Sequence, residues 1–346
     1  MCYNKSMDDR LLPLEDVAEE LFVDREEELA FFWEWATAIP PLITPHSYAL
    51  IGRRRTGKTT ILQKIFNRLF YEQEKVIPAY ISFAGFLDRL EPITSYEFAD
   101  VYFSGYVRGY LAFHYQEPIL IRSQYSTSRL RRFAQQVNDE YVLGLFELYD
   151  EEIKEPIPHG LVQWVINFPK AEAAIRDIPT AILIDEFQIL TNVYDPKQNV
   201  YRDLTNSFQQ ASETRWTPLL VSGSAVSMFV SDALGGMLQG RFGHYYLPAI
   251  PQGDAHNLVF RYGEQSGLEI TDEFAEAVWQ YTDGNPHSVR SLMTSRCPER
   301  ANYPDTEALK QVVEYELRPQ SWPHHTAGHA LGNTISRSTS GCTNGI

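Results

Sequence analysis

Apolar residues recur along this chain in two alternating patterns: short solid runs, and pairs repeated four residues apart. Tyr48–Ile51, Ile77–Phe83, Ala181–Ile184, Leu219–Ser222 and Tyr245–Leu247 have the length and continuity of strands buried on both faces. Behind the first of them, Ile61, Leu62, Ile65, Phe66, Leu69 and Phe70 repeat as doubled positions, which predicts a helix burying one broad face. Strands of this kind separated by helical stretches predict a three-layer α/β domain with a parallel sheet in the middle.

The stretch from about residue 86 to 177 is long for a single crossover. Its aromatic and leucine positions (Tyr102, Phe103, Tyr106, Tyr110, Phe113, Leu145, Phe146) predict an added helical subdomain. Upstream, Asp24 and Glu27 have capping-box spacing ahead of an apolar helix with Leu29, Phe32 and Trp33, which Pro40 and Pro41 end. From Gly253 to about Met293 the periodicity is helical, with Leu258, Val259, Phe274, Ala277, Val278 and Tyr281 as its core. Beyond Pro319 the chain is Ser, Thr, Gly, Asn and His with little apolar content, too little to offset ordering entropy. The expected layout is an arm over 1–21 and an α/β domain over 22–250 carrying the insert. A helical lid follows over 251–300, and 301–346 holds the remnant of a C-terminal region and a disordered tail.

Composition adds exclusions. Hydrophobic residues make up 44% of the 346 and charged residues 22%, the balance of a soluble globular protein. No apolar run approaches the roughly 20 residues a bilayer span requires, and no leader-like segment opens the chain, so neither secretion nor a membrane role is expected and the cytoplasm is. The three cysteines, Cys2, Cys297 and Cys342, have no metal-ligand spacing and fit a reducing compartment. His324, His325 and His329 lie in the tail and are not read as a metal site. A formal net charge of −15 opposes sequence-independent nucleic-acid binding, and Arg129, Arg131 and Arg132 read as a solvated helix face.

Gly52-Arg53-Arg54-Arg55-Thr56-Gly57-Lys58-Thr59 satisfies the phosphate-loop pattern in full, between a strand and an amphipathic helix as that pattern demands. The glycines let successive N–H groups turn inward on an anion, and the helix contributes its positive end. Lys58 supplies a charge for the β- and γ-phosphates and Thr59 a hydroxyl for Mg²⁺, with Thr60 next on the helix. Arg53, Arg54 and Arg55 either touch phosphate or point to solvent.

Such a loop needs a carboxylate for the metal. Ala181-Ile182-Leu183-Ile184-Asp185-Glu186 provides two acids at the carboxyl end of a buried strand, where ligands bind in open α/β sheets. Asp185 is read as the Mg²⁺ carrier and Glu186 as the group that orients or deprotonates the attacking water. The second acid favours a water-activating ATPase over a kinase, and no segment suited to reading guanine follows, which favours ATP over GTP. Val221-Ser222-Gly223-Ser224 ends another strand; Ser222 or Ser224 either senses the γ-phosphate or caps a helix. Arg241 stabilises transition-state charge, within the chain or across a subunit interface, or is a surface arginine.

In their order along the chain these segments resemble the archaeal and bacterial ATPases of the STAND class, a branch of the AAA+-like P-loop ATPases. The resemblance spans Phe22 to about Met293. It rests on Phe22-Val23-Asp24-Arg25-Glu26, the phosphate loop, Asp185-Glu186-Phe187-Gln188, Gly223-Ser224, Gly240-Arg241-Phe242 and Gly284-Asn285-Pro286. It implies a sheet ordered 5-1-4-3-2 under a helical lid. It also implies that Phe22, Val23 and Arg25 lie near the adenine, that Pro286 packs on the base, and that hydrolysis resets a conformational switch by moving the lid. Such ATPases continue into a winged-helix region. Here Val312–Leu317 begins one and the tail replaces it, as in a truncated or frame-shifted relative.

The expected function is Mg²⁺-dependent hydrolysis of ATP by a molecular switch, with a protein partner or self-association. The alternatives are a DNA-associated AAA+ factor resembling replication initiators, which the acidic charge disfavours, and a non-hydrolysing ATP-binding scaffold, for which Glu186 would be superfluous.

Overall fold

The computed structural model describes residues 11–15, 17–18, 21–39, 46–154, 158–223 and 240–318. They divide into two compact units. The described residues of Met1–Asp16, Glu28–Ile51 and Thr59–Tyr246 form one, and those of Val17–Glu27, Gly52–Lys58 and Leu247–Ile346 the other. No helix of the described residues is long and apolar enough to cross a membrane.

The first unit opens with α1 (Glu26–Thr37), β1 (Ser47–Ile51), α2 (Lys58–Tyr71) and β2 (Ile77–Ser82). Five helices follow: α3 (Ser95–Tyr115), α4 (Ile119–Arg122), α5 (Thr127–Val137), α6 (Glu140–Lys154) and α7 (Pro158–Arg176). Then come β3 (Thr180–Asp185), the short strands β4 (Val193–Asp195) and β5 (Val200–Arg202), α8 (Gln209–Ser212), β6 (Leu219–Gly223) and β7 (Phe242–Tyr246). The main sheet runs β2-β3-β6-β1-β7, every pairing parallel. Counting those five strands in chain order gives 5-1-4-3-2, the α/β arrangement expected.

Why the solid runs became strands is visible in their burial. All of β3 is buried, and Ala49, Leu50 and Ile51 of β1 are fully so, as parallel strands covered on both faces require. Opposite them, Ile61, Leu62, Ile65, Phe66, Leu69 and Phe70 of α2 are inaccessible or nearly so. Each such side chain contributes roughly 1.5–3 kcal/mol. The edge strand β7 begins three residues earlier than the run Tyr245–Leu247. Gly243 and Tyr245 are half-buried while His244 and Tyr246 are exposed, so after Phe242 the strand alternates, and a search for solid runs misses its first half.

Within the insert, α3 starts at a capping box formed by Thr94 and Glu97 and lies directly on β2. Its close approach depends on Gly109, where a Cβ would fall 2.4 Å from the Pro78 carbonyl oxygen. The helix is thus a layer of the sheet domain as well as part of the insert. Its aromatic residues turn inward: Phe103 stacks on Tyr149 of α6 at 4.2 Å between centroids. The β4–β5 hairpin was not foreseen, because three-residue strands are too short for either period to register. Asp195 fixes its turn by accepting from the backbone N–H groups of Lys197 and Gln198.

The second unit is helical: α9 (Gln252–Ser266), α10 (Asp272–Thr282), α11 (Pro286–Met293) and α12 (Thr306–Leu317). Leu258, Val259, Phe274, Val278, Val289 and Leu292 form one core with Leu309, Val312 and Val313 of α12. The segment read as the start of a winged-helix region therefore packs with α9, α10 and α11. The tail, Cys2 and Cys342 lie outside the described residues; Cys297 is buried and free. The helix expected from Asp24 starts at Glu26, and Asp24 takes a left-handed φ of 50°. Of the arm, Leu14 exchanges backbone hydrogen bonds with the Asn67 side chain.

Candidate nucleotide site

The loop Gly52–Lys58 leaves the end of β1 and runs into α2. Gly57 has φ 97°, a conformation that side chains strain to reach, and Arg55 has φ 65°. Lys58 is buried, and its Nζ donates to the carbonyls of Gly52 (3.0 Å) and Arg53 (2.6 Å). Thr56 Oγ1 donates to the same Arg53 carbonyl at 3.0 Å. The ammonium is thereby folded back over the loop.

Side chains of the helical unit hold the loop from outside. Arg53 Nη1 pairs with Asp283 Oδ2 at 2.9 Å, and Asn285 Nδ2 donates to the Arg54 carbonyl at 3.2 Å. Arg25 is buried and donates to the carbonyls of Thr56 (3.5 Å) and Pro248 (2.8 Å). His287, one residue into α11, is pushed down to about 4, first by burial and then by the charges of Arg55 and Arg290, and is neutral at physiological pH.

In the sheet unit, Asp185 ends β3 with its carboxylate buried and surrounded by donors. Thr59 Oγ1 donates to Oδ2 at 2.9 Å, the Tyr80 hydroxyl donates to the same oxygen at 3.3 Å, and Ser222 Oγ donates to Oδ1. Burial, and then the negative charge of Asp185, push the Tyr80 phenol well above its ordinary range, so it stays a donor. Glu186 follows at φ 60°, a left-handed position that costs a non-glycine residue on the order of 1–3 kcal/mol. That turn swings its carboxylate out of the strand, and Gln188 Nε2 donates to it from the 3₁₀ turn Phe187–Thr191.

Thr59 and Asp185 are thus brought together with Ser222. Hard oxygen donors of this kind, one carboxylate and one hydroxyl, suit Mg²⁺ that keeps waters and substrate phosphates for its remaining positions. No group of three or more His, Cys, Asp or Glu side chains arranged for a metal occurs among the described residues.

Other expected site residues are placed differently. Arg241 precedes Phe242, which pairs with Ser47 at the amino end of β1, whereas Asp185 and Glu186 stand at the carboxyl end of the sheet. That is about 13 Å of strand away at roughly 3.3 Å per residue. Its guanidinium pairs with Glu213 at 2.6 Å, so the reading as a charge for its own Asp185 end does not hold. The Val23 side chain is turned into the helical core, so only its backbone is free to meet a base. Phe22 is half-buried, and its carbonyl accepts from Arg261. Pro286 opens α11, half-buried; Thr60 is the third residue of α2. Ser224 lies outside the described residues. Tyr80 and Gln188 had not been singled out as site residues; Gln188 sits two residues after Glu186, but Tyr80 comes near Asp185 only through strand pairing.

The profile of an ATPase domain described as predominantly from Archaea matches residues 22–292. The chain belongs to that family. As a member of it, this ATPase hydrolyses ATP, which accords with a complete phosphate loop and an acid pair at the end of β3. No curated protein matches it significantly. Among solved structures it is similar to the Walker-type ATPase PABY2304 of Pyrococcus abyssi, at 17% identity and a TM-score of 0.56, covering 95% of this chain and 80% of that one. It is also similar to the Orc1 protein of Aeropyrum pernix, solved in complex with DNA, at 12% identity and a TM-score of 0.50, covering 88% and 70%. At these identities the likeness concerns the fold, and the fold is that of a P-loop ATPase.

Proposed function

We propose that this ATPase is a molecular switch of the STAND type, in which hydrolysis resets the loop-bound helices and does no mechanical work of its own. The observation that carries the reading is the double tethering of the phosphate loop to the α10–α11 turn, through Arg53–Asp283 and Arg54–Asn285. A γ-phosphate drawn into the loop competes for Lys58 and for the loop backbone. The tethers pass that change to the helices, a two-state element biased by one phosphate.

In the proposed reaction the loop N–H groups and Lys58 bind the β- and γ-phosphates. Asp185 and Thr59 would hold Mg²⁺, which would supply charge neutralisation at the phosphates. Glu186 takes the proton of the attacking water as its oxygen bonds to the γ-phosphorus. The bond from that phosphorus to the bridging oxygen breaks, and its electron pair leaves with ADP. Ser222, bonded to Asp185, stands where a change at the metal would reach β6. The backbone at Phe22–Arg25 and the Pro286 ring are the proposed adenine contacts. Arg241, facing away from its own acids, is proposed to act, if at all, on a neighbouring copy.

The test is Mg²⁺-dependent ATP turnover by the full chain, Lys58→Ala and Glu186→Gln, with nucleotide affinity measured on the same samples. Glu186→Gln should lose about 10²-fold or more in turnover while still binding ATP, and Lys58→Ala should lose binding as well. Equal and negligible turnover in all three, with tight binding by the unmodified chain, would leave a scaffold. Limited proteolysis of α9–α12 with ATP and with ADP tests the switch, which fails if the two cleavage patterns coincide.

A further inference from the structure

We propose that Tyr80 is a positioning residue for ATP hydrolysis, its hydroxyl fixing the Asp185 carboxylate in the orientation that takes up nucleotide-bound Mg²⁺. The inference rests on the reading of Asp185 as the Mg²⁺ carrier and assigns that carrier its support.

Register places the tyrosine. β2 and β3 pair in parallel with Tyr80 beside Leu183 and Ser82 beside Asp185. Paired residues share a face, and residues two apart on one strand share it too, so Tyr80 stands on the Asp185 face one step back along the neighbouring strand. A diagonal of that kind is too long for a small side chain and within reach of an aromatic one. The Tyr80 ring meets Phe66 of α2 edge-on, with centroids 6.3 Å apart, and this contact sets the direction of its hydroxyl.

The three donors to Asp185 have different duties. Ser222 bonds Oδ1, while Thr59 and Tyr80 share Oδ2. Thr59 is itself the hydroxyl offered to the metal, so its bond to the carboxylate is the one that must adapt when the ion arrives. Tyr80 comes from a different strand, outside the loop, and keeps its grip on Oδ2 throughout. A phenylalanine would fill the same space against Phe66; what the hydroxyl adds is a bond to a buried carboxylate.

The experiment uses the full chain in a Glu186→Gln background, where hydrolysis is slow, and follows binding of a fluorescent ATP analogue as Mg²⁺ is raised. Tyr80→Phe should raise the Mg²⁺ concentration for half-saturation about tenfold, the order seen when partners of a metal ligand are removed. Affinity for the analogue in EDTA should stay as it was. With Glu186 restored, the KM for Mg²⁺ should rise and turnover should recover as Mg²⁺ saturates. Asp185→Asn is the control for the underlying reading. If it shifts the Mg²⁺ dependence and Tyr80→Phe does not, the role of Tyr80 falls alone. If neither shifts it, Asp185 is not the carrier and both fall. A Tyr80→Phe turnover loss that excess Mg²⁺ does not restore also overturns the proposal. Far-ultraviolet circular dichroism of each variant establishes that the fold is intact.

Discussion

The Gln188 side-chain amide donates to the Glu186 carboxylate across a turn whose backbone Glu186 itself bends, at φ 60°. The proposed base is therefore aimed twice: by its own backbone conformation, and by a neighbour that is buried. A general base acts only from the right place, and a misplaced carboxylate loses much of its effect even when its charge is intact.

Gln188→Leu keeps the bulk of the side chain and removes the amide. Turnover should fall about tenfold with nucleotide affinity within twofold of the starting value, since the loss lies in orientation rather than binding. Steady-state kinetics beside a binding titration check this, and unaltered turnover would remove Gln188 from the site.

Glu186→Gly separates strain from chemistry. Glycine adopts the left-handed conformation freely, at the expense of greater freedom in the unfolded chain, so stability should be unchanged or higher by up to about 1 kcal/mol. Turnover should drop about 10²-fold or more. Urea unfolding and ATPase assays on one preparation give both numbers. A clear loss of stability would show that the Glu186 side chain supports the fold.

Gly109→Ala tests the seat of α3 on β2. The added methyl would stand 2.4 Å from the Pro78 carbonyl oxygen and 3.0 Å from the Ala79 Cα, both backbone atoms that yield only if the helix shifts. A cost of about 1–3 kcal/mol is expected, read as a lower urea midpoint.

His287 gives the helical unit a pH dependence of calculable sign. Its pKa is lowered in the fold to about 4 from an ordinary 6.5 by burial, Arg55 and Arg290, and its Nδ1 lies 3.4 Å from the Ser291 hydroxyl. Between those values the unfolded chain binds a proton that the folded one refuses. The contribution is present above about pH 6.5 and is lost as pH falls toward 4. Thermal unfolding between pH 7 and 4.5 should show His287→Asn losing less stability than the unmodified chain, by roughly 2 kcal/mol. Parallel curves would mean that His287 is not shielded.

Much of the site was readable because covalent spacing nearly determines it. A loop bounded by Gly52 and Gly57 before a helix has one economical path, and an acid pair after four buried residues must stand at a strand's end. What escaped depended on pairing between distant segments. Tyr80 approaches Asp185, 105 residues away in sequence, through the register of two paired strands. Arg241 read as a catalytic charge until β7 started three residues early and set it at the amino end of the sheet. Val23 has nothing local to say that it faces a helical core, and Val312 and Val313 show helical spacing without naming the core they join.

The chain crosses between its two units several times, and one excursion is the seven residues Gly52–Lys58, which cluster with the helices from Gln252 onward. Modularity in this protein therefore does not follow the linear map. A fragment cut after β7 would retain the phosphate-loop signature intact on paper, yet Asp283 and Asn285, which hold that loop, and Pro248, which anchors Arg25, would be gone. Recombination, domain grafting or a trimmed expression fragment that respects the sequence motifs would inherit the signature and leave behind the parts that give it shape.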